Sequence, residues 1–260
     1  LERGGILMKI ALCISGQPRD IDINFPIHKA SILDGNDVDV FIHTWFDPEN
    51  LSQNSVIPDR VHRVIDPNAL KRIYELYQPK RMSHEKPKWW PAVGRKYEFR
   101  DKQYDEGHGW VKDVAGGIEE GQKYIFNMTN SMWYSVMMAN LFKEQYAVEN
   151  GIEYDYVVRC RFDFAPHGIL NFPVLNLKDD EILCHSTGLP YEMPHDWFAI
   201  GRTEPMNAYC GIYHHINEII KQSIRMDGWW CNELHIKHHM NNNNIKVRHE
   251  NLLVYGHKGQ

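Results

Sequence analysis

YDYVVRCRFDF, Tyr154 to Phe164, has the apolar and aromatic composition of a buried strand, yet it carries two arginines and an aspartate. Side chains alternate between the two faces of a strand, so Arg159, Arg161 and Asp163 share one face near its carboxyl end. Burying these charges without partners would cost on the order of several kcal/mol each. Ligands of open α/β sheets bind beyond the carboxyl ends of strands. An anion together with a divalent cation would meet this demand.

Two interpretations of these charges stay open on the strand alone. In the first, Asp163 ligates a hard metal ion through oxygen, and Arg159 or Arg161 binds a phosphate through two N–H groups. In the second, Arg161 forms an internal ion pair with Asp163 or with a carboxylate elsewhere, as structural arginines also do.

Outward from this stretch, strand-like and helix-like patterns alternate along the chain. Further strands are predicted at Lys9–Ser15, Asp37–Trp45 and Glu181–Ser186, with closing strands after a turn at Asn241–Asn244. Helices are predicted at Asn68–Tyr77, Thr129–Gly151, Glu204–Ser223 and Trp229–Met240. Strands that alternate with helices predict an α/β fold with a mainly parallel sheet.

The pattern dissolves between Pro79 and about Gly121, a stretch rich in Lys, Gly, Trp and Tyr. A segment of this length without regular structure is usually functional or disordered. Its aromatic residues favour a lid or insertion that orders over a ligand. We expect residues 8–260 to form one domain, with Met8 as the natural start and residues 1–7 belonging to a preceding segment.

Composition narrows the function classes. The net charge is −5 with 24% charged residues, which argues against nucleic acid as a partner, because phosphate binding needs clustered positive charge. Five cysteines without a CxxC pair predict a reducing, cytoplasmic compartment with neither disulfides nor a thiolate zinc site. No apolar run approaches the roughly 18 residues of a membrane span, so we expect no transmembrane segment. Peripheral association with a membrane stays open.

The loop after the first strand, ISGQPR, is a second candidate for ligand contact. Ser15 and Gly16 mark a tight turn where backbone can approach a ligand, and Arg19 adds a positive charge just beyond. The loop has neither the GxGxxG nor the GxxxxGK[ST] pattern, so it does not indicate a Rossmann or P-loop site. An ordinary strand-to-helix turn is the competing explanation.

Four segments follow one another in the order KIALCISGQPR, DVFIHTWF, YDYVVRCRFDF and HDWFAIG. Together they resemble a group of small nucleotide-sugar glycosyltransferases known from bacterial surface-polysaccharide clusters and from large DNA viruses of algae. The resemblance spans about Met8 to Val247. It implies the GT-A fold, which is a nucleotide-binding α/β sandwich. It also implies a nucleoside-diphosphate sugar donor, expected to carry UDP, a glycan or glycolipid acceptor, and Mn²⁺ or Mg²⁺ as cofactor.

The resemblance implies nucleotide contacts at the ends of the first two strands. Ser15, Gly16 and Arg19 would contact the nucleotide, while His43 and Thr44 would lie near the base or the ribose. Together with the arginines of the opening stretch, they make up the expected nucleotide-sugar site.

The resemblance also implies that Asp163 is the metal ligand of a D-x-D-like motif. Arg161 stands where the first aspartate of that motif would be, so the metal shell is sparse and Arg161 is expected to supply part of the missing charge. A histidine near the carboxyl terminus often completes the shell in such enzymes, and His249 and His257 are both candidates.

Asp196, in HDWFAIG, is the candidate catalytic residue. It resembles the acidic residue that inverting GT-A enzymes place at a helix start facing the acceptor, where it removes the proton of the acceptor hydroxyl. The alternative is an N-cap, since aspartate before an apolar segment commonly begins a helix. Glu233 is a further acidic residue that either begins a helix or touches the acceptor.

Three other features of the sequence bear on its function. The histidines of HIKHH, His235–His239, have metal-binding spacing but are expected to form a solvated helix face. A sugar-phosphate nucleotidyltransferase is a rival enzyme, but SGQPRD lacks the lysine of its glycine-rich loop. A non-catalytic nucleotide- or sugar-binding protein would keep Arg19 and Arg161 and tolerate the loss of Asp196.

Overall fold

The computed structural model describes residues 8–52, 64–90, 118–166, 168, 170–186, 193–228, 230–250 and 253–254. Seven strands form the main sheet: β1 Lys9–Gly16, β2 Asp37–Trp45, β3 Arg81–Glu85, β4 Tyr156–Cys160, β6 Glu181–His185, β7 Ala199–Gly201 and β8 Lys246–Glu250. A small second sheet pairs β5 Ala165–Pro166 with β9 Leu253–Val254.

Helices cover both faces of the main sheet. Their bounds are α1 Ile21–His28, α2 Ala69–Tyr77, α3 Ile118–Asn150, α4 Phe172–Leu175, α5 Thr203–Cys210, α6 Ile212–Asp227 and α7 Asn232–Asn242, with a π-helical turn at Lys29–Leu33 after α1. None of these described helices combines the length and the apolar character that a membrane crossing requires.

The main sheet has the strand order β3-β2-β1-β4-β7-β6-β8. Within it, β7 is antiparallel to both of its neighbours, and the other neighbouring pairs are parallel. The predicted α/β fold with a mainly parallel sheet is therefore confirmed. The chain leaves β1 toward β2 on one side and reaches β4 on the other, so the strand order reverses between β1 and β4. Such a switch point is where open α/β sheets bind ligands.

The sheet separates two apolar cores, and β4 contributes to both. Tyr156, Val158 and Cys160 pack in the core that α1 and α2 cover, whereas Val157 packs in the core that α3 and α6 cover. The predicted alternation of faces thus holds within the strand. Because β4 ends at Cys160, the residues that follow it belong to the loop at the switch point.

Several elements differ from the sequence-based expectation. The long helix begins at Ile118, eleven residues before the predicted Thr129, and the helix predicted at Glu204–Ser223 is two helices that meet at Gly211. Part of the predicted lid, Arg81–Glu85, is instead the edge strand β3. Of the remaining lid residues, 79–80 and 86–90 lie outside helices and strands, 118–121 form the start of α3, and 91–117 lie outside the described residues.

Candidate functional site

Side chains from α3 and β2 hold the start of the loop after β1 through hydrogen bonds to the backbone of Gly16. Gly16 has a φ of 111°, which an L side chain rarely adopts, so the turn depends on glycine here. Its N–H donates to Ser135 Oγ of α3 at 3.0 Å, and its carbonyl accepts from Thr44 Oγ1 of β2 at 2.8 Å. These contacts fix the direction in which the chain leaves the sheet toward Arg19.

His43 and Thr44 lie under this loop. Both are fully buried. His43 Nδ1 lies 2.8 Å from Ser135 Oγ and its Nε2 lies 3.2 Å from Glu85 Oε1, and burial lowers the pKa of the imidazole. The polar side-chain atoms of both residues are thus engaged inside the protein. Both residues therefore support the loop in this arrangement, and their contact with the base or ribose stays a prediction.

Arg19 connects the loop after β1 with the loop after β4. Its Nε donates to Gln17 Oε1 at 3.0 Å, and its Nη1 lies 3.7 Å from Asp163 Oδ2. The switch point therefore brings together Arg19 and Asp163, as expected from their positions after adjacent parallel strands. A cavity of about 360 Å³ opens beside Arg19 between the loop, α1 and α2. It is lined by Pro18, Arg19, Asp20, Ile21, Asp22, Ile23, Val64, Ile65, Asp66, Ala69 and Arg72.

Arg161 and Asp163 form a bidentate ion pair. Arg161 Nε donates to Asp163 Oδ1 at 2.8 Å and Nη2 donates to Oδ2 at 2.6 Å. Burial opposes the charged form of Arg161, but the carboxylate outweighs it and raises the guanidinium pKa above its usual range. The internal ion pair that the sequence left open is thus present. The Arg161 side chain is still 27% exposed against 5% for Asp163. The arginine is therefore the more exposed partner at the edge of the sheet where the loops after β1 and β4 meet, which we call the cleft.

The donor set around Asp163 does not fit a divalent cation in this arrangement. Both carboxylate oxygens accept hydrogen bonds from Arg161, and Arg19 lies close to one of them. A metal ion at Asp163 would have to displace a guanidinium. The described residues contain no cluster of three His, Cys, Asp or Glu side chains able to hold a metal. Metal ligation by Asp163 stays a prediction, and His257 lies outside the described residues.

Asp196 lies in a turn directly before β7, and no helix begins there. The helix-cap alternative for Asp196 is therefore wrong, as is its expected place at a helix start. The residue is 4% exposed, and Asn232 Nδ2 donates to its Oδ2 at 2.9 Å. The guanidinium of Arg161 stacks 5.9 Å from the ring centre of the adjacent Trp197, and the charge of Asp196 contributes to the raised pKa of Arg161. Asp196 thus borders the same cleft as the arginine.

Glu233 is the second carboxylate of the site. It lies in the first turn of α7, whose N-terminus is capped by Cys231 Sγ accepting from Leu234 N at 3.5 Å. Burial and the charge of Asp196 raise the pKa of Glu233 to about 7. Its Oε1 lies 3.8 Å from Nδ1 of His195. The helix-start interpretation of Glu233 is confirmed, and its contact with an acceptor stays a prediction.

Replacing Glu233 by Gln should change how the stability of the protein depends on pH. Its pKa rises from the usual 4.5 to about 7 on folding, so the folded state keeps a proton that the unfolded state releases. This stabilisation is complete below pH 4.5 and is lost as pH rises through 7. The Gln side chain does not titrate, so the variant does not lose this stabilisation. Its free energy of unfolding, relative to that of the wild type, should therefore rise by on the order of 1–3 kcal/mol from acidic to mildly alkaline pH.

The measurement is urea unfolding at several pH values. Glu204→Gln is the matched control, since Glu204 is an exposed glutamate in the first turn of α5. Parallel stability profiles for the wild type and Glu233→Gln would contradict the assignment of a raised pKa.

The histidines of α7 are not a solvated face. His235, His238 and His239 are 5% exposed or less. His238 Nε2 lies 2.5 Å from Asp227 Oδ2, and His239 Nε2 lies 3.1 Å from the Ala208 carbonyl. The solvated interpretation is wrong because α7 packs this face against α5 and α6.

Arg159 and Ser15 occupy the sheet itself rather than its edge. Arg159 is 1% exposed and pairs in register with Cys13 of β1 and Ala199 of β7. Ser15 is the next-to-last residue of β1, lies on the same face as Cys13 and is 2% exposed. Both predicted site residues thus lie behind the cleft that Arg19 and the Arg161–Asp163 pair border.

Neither the protein-family models nor the curated proteins compared with this chain give a match. The site therefore has to be interpreted from its own geometry.

Proposed function

We propose that this protein is a glycosyltransferase of GT-A architecture. It moves a hexose from a nucleoside-diphosphate sugar, with UDP as the expected nucleotide, to a glycan acceptor and inverts the anomeric centre. The observation that carries this proposal is the meeting of two guanidiniums and a carboxylate pair at the β1–β4 switch point. The guanidiniums belong to Arg19 and Arg161, and the carboxylates to Asp196 and Glu233.

We assign the donor diphosphate to Arg19 and Arg161. The Arg161 side chain is partly exposed, and Asp163 fixes its orientation through two hydrogen bonds. A preoriented cation stabilises charge that develops on a leaving group without reorganisation during the reaction. The cavity of about 360 Å³ beside Arg19 falls in the size range of small-molecule pockets, and we assign the nucleoside to it.

Transfer then needs one proton acceptor on the far side of the sugar. The acceptor hydroxyl oxygen attacks the anomeric carbon, its proton passes to the Asp196 carboxylate, and the bond from the anomeric carbon to the diphosphate oxygen breaks. The nucleoside diphosphate leaves with the electron pair of that bond. A single displacement of this kind inverts the configuration, and the carboxylate pair favours an enzyme over a non-catalytic nucleotide-binding protein.

The Mn²⁺ or Mg²⁺ that the resemblance implies would supply positive charge to the diphosphate if it binds. In the arrangement described here that charge comes from Arg19 and Arg161. No step of the mechanism above passes through a metal ion.

Nucleotide binding tests the proposal most directly. Arg19→Gln should weaken UDP binding about 10- to 100-fold, because a charge-assisted hydrogen bond to the phosphate is lost. Isothermal titration measures the affinity, and thermal shift with UDP, GDP, dTDP and CDP selects the nucleotide. Arg225→Gln is the control, since it removes one equally charged but exposed side chain from α6.

Two results would overturn this proposal. The first is that none of the four nucleotides stabilises or binds the wild-type protein. The second is that Arg19→Gln binds UDP as tightly as Arg225→Gln does.

A further inference from the structure

Four polar side chains lie together on the α3 side of the sheet, behind the cleft. Arg159 on β4 and Ser15 on β1 share this face, because Arg159 pairs with Cys13 and Ser15 follows two residues later. Trp133 of α3 and Tyr209 of α5 cover the same face, with their ring centres 5.4 Å apart. We call these four residues the Arg159 cluster.

Every member of the Arg159 cluster is buried and has polar atoms that lack a hydrogen-bond partner among the described residues. These atoms are Arg159 Nε, Nη1 and Nη2, Ser15 Oγ, Trp133 Nε1 and Tyr209 Oη. All four residues are 2% exposed or less. Each can donate a hydrogen bond, and the described chain supplies no acceptor to any of these atoms.

Such a set of donors is costly unless an acceptor binds there. Native proteins pair nearly all buried polar groups, and an isolated buried charge is far more costly than a neutral group. The charge of Arg159 acts on the Tyr209 hydroxyl, whose pKa burial raises well above its usual range. The missing partner is therefore an acceptor that carries negative charge and accepts several hydrogen bonds.

The charge of the cluster indicates what kind of anion it takes. Arg159 supplies one positive charge, and the hydroxyl and indole groups are neutral. One guanidinium with neutral donors matches a carboxylate, which is a monoanion that binds arginine through both oxygens. The diphosphate carries more charge and already has Arg19 and Arg161 at the cleft edge.

The cluster also lies near the proposed proton acceptor Asp196, whose charge acts on Tyr209. The charge of Asp196 acts on both Tyr209 and Arg161, so Asp196 connects the cluster with the cleft. A sugar held between the diphosphate site and Asp196 would direct a substituent of its ring toward Arg159. The cluster is covered in this conformation, so the substituent enters by displacing one of the covering side chains.

We propose that the Arg159 cluster binds the carboxylate of an acidic sugar, so that a hexuronate is a substrate of this enzyme. The inference rests on the proposed function, and it adds the class of sugar. Arg159 binds both carboxylate oxygens, while Ser15 and Tyr209 donate the remaining hydrogen bonds.

Matched pairs of sugars test the proposal on the wild-type protein. UDP-glucose is compared with UDP-glucuronate, and UDP-galactose with UDP-galacturonate, by titration calorimetry. Free glucose is compared with free glucuronate in saturating UDP, which tests the acceptor in place of the donor. We expect the acidic member of at least one pair to bind about 10- to 100-fold more tightly. Equal binding within every pair would overturn the proposal, whereas intact UDP binding would leave the glycosyltransferase assignment standing.

Two variants test whether the Arg159 cluster causes the preference for the acidic sugar. Arg159→Met should abolish the preference for the acidic sugar without changing the affinity for UDP alone, and Tyr209→Phe should reduce the preference. A preference that survives Arg159→Met would place the carboxylate elsewhere and overturn the assignment.

Thermal unfolding without ligand gives an independent readout. Replacing an unpaired buried charge by an apolar side chain of similar length is often neutral or stabilising, so Arg159→Met should unfold at the wild-type temperature or higher. A clearly lower unfolding temperature would mean that Arg159 is paired within the protein, which would also overturn the proposal.

Discussion

Asp196→Asn should lower the rate of sugar transfer by roughly 10²–10⁴-fold, which is the usual contribution of a general base. The amide keeps the shape of the side chain but cannot accept the proton of the acceptor hydroxyl. Asn232 faces Asp196 Oδ2 through its Nδ2 amide, and asparagine can present an oxygen to that donor, so the local structure should persist. Nucleotide affinity should change little, because the proposed mechanism places Asp196 at the acceptor and not at the diphosphate.

The neighbouring carboxylate provides the comparison for this variant. Glu233→Gln should lower transfer by less than about tenfold, because in this assignment Glu233 borders the acceptor and does not take its proton. Its pKa of about 7 should instead appear in the pH profile of transfer, and the variant should lose that inflection. If Glu233→Gln were the more damaging of the two and Asp196→Asn nearly normal, the proton acceptor would be Glu233, and our assignment of Asp196 would be wrong.

The sequence predicted which loops meet at the site because that meeting follows from the backbone. Parallel strands end at the same edge of a sheet, and β1 and β4 are adjacent in it, so the residues after these two strands are neighbours. Arg19 and Asp163 accordingly approach to 3.7 Å. The faces of Tyr156, Val157 and Val158 followed from strand alternation alone.

The contacts of individual side chains could not be predicted from the sequence. Whether Asp163 faces a metal ion or Arg161 depends on rotamers that tertiary contacts select. His43 and Thr44 end a strand, as a ligand contact would, but Ser135 and Glu85 from other elements engage the imidazole of His43. Nothing local to their own segment carries that information.

Burial that arises from distant segments was also missed. The sequence indicates that Glu233 begins a helix or touches the acceptor, but not that burial and the charge of Asp196, far away in sequence, raise its pKa. The edge strand β3 has the sequence RMSHE, without apolar alternation, and only its pairing with β2 makes it a strand. His238 and His239 of α7 have their polar partners, Asp227 and the Ala208 carbonyl, on α6 and α5. In each case the missing signal was a long-range contact.

Arg161→Gln should lower transfer by roughly 10²–10³-fold, the loss typical of removing one oriented donor from a developing anion. The bidentate contact with Asp163, at 2.8 and 2.6 Å, fixes the guanidinium before the substrate binds, so the stabilisation requires little reorganisation. Removing the arginine also leaves Asp163 buried with Arg19 as its remaining cationic neighbour, and an uncompensated buried carboxylate destabilises a protein strongly. A drop in activity of the single variant could therefore reflect unfolding.

The double variant Arg161→Gln/Asp163→Asn separates the two effects, because it removes both charges and keeps both shapes. It should unfold near the wild-type temperature and still show the full loss of transfer, which assigns the loss to the guanidinium. The wild type should also retain transfer in excess EDTA, since Arg19 and Arg161 supply the charge that the diphosphate needs. Transfer that is lost in EDTA and restored by Mn²⁺, together with near-normal transfer by Arg161→Gln, would show that a metal ion and not Arg161 supplies this charge. Asp163 would then release Arg161 to bind a metal ion in the active enzyme, and the arginine would be a spectator of the reaction.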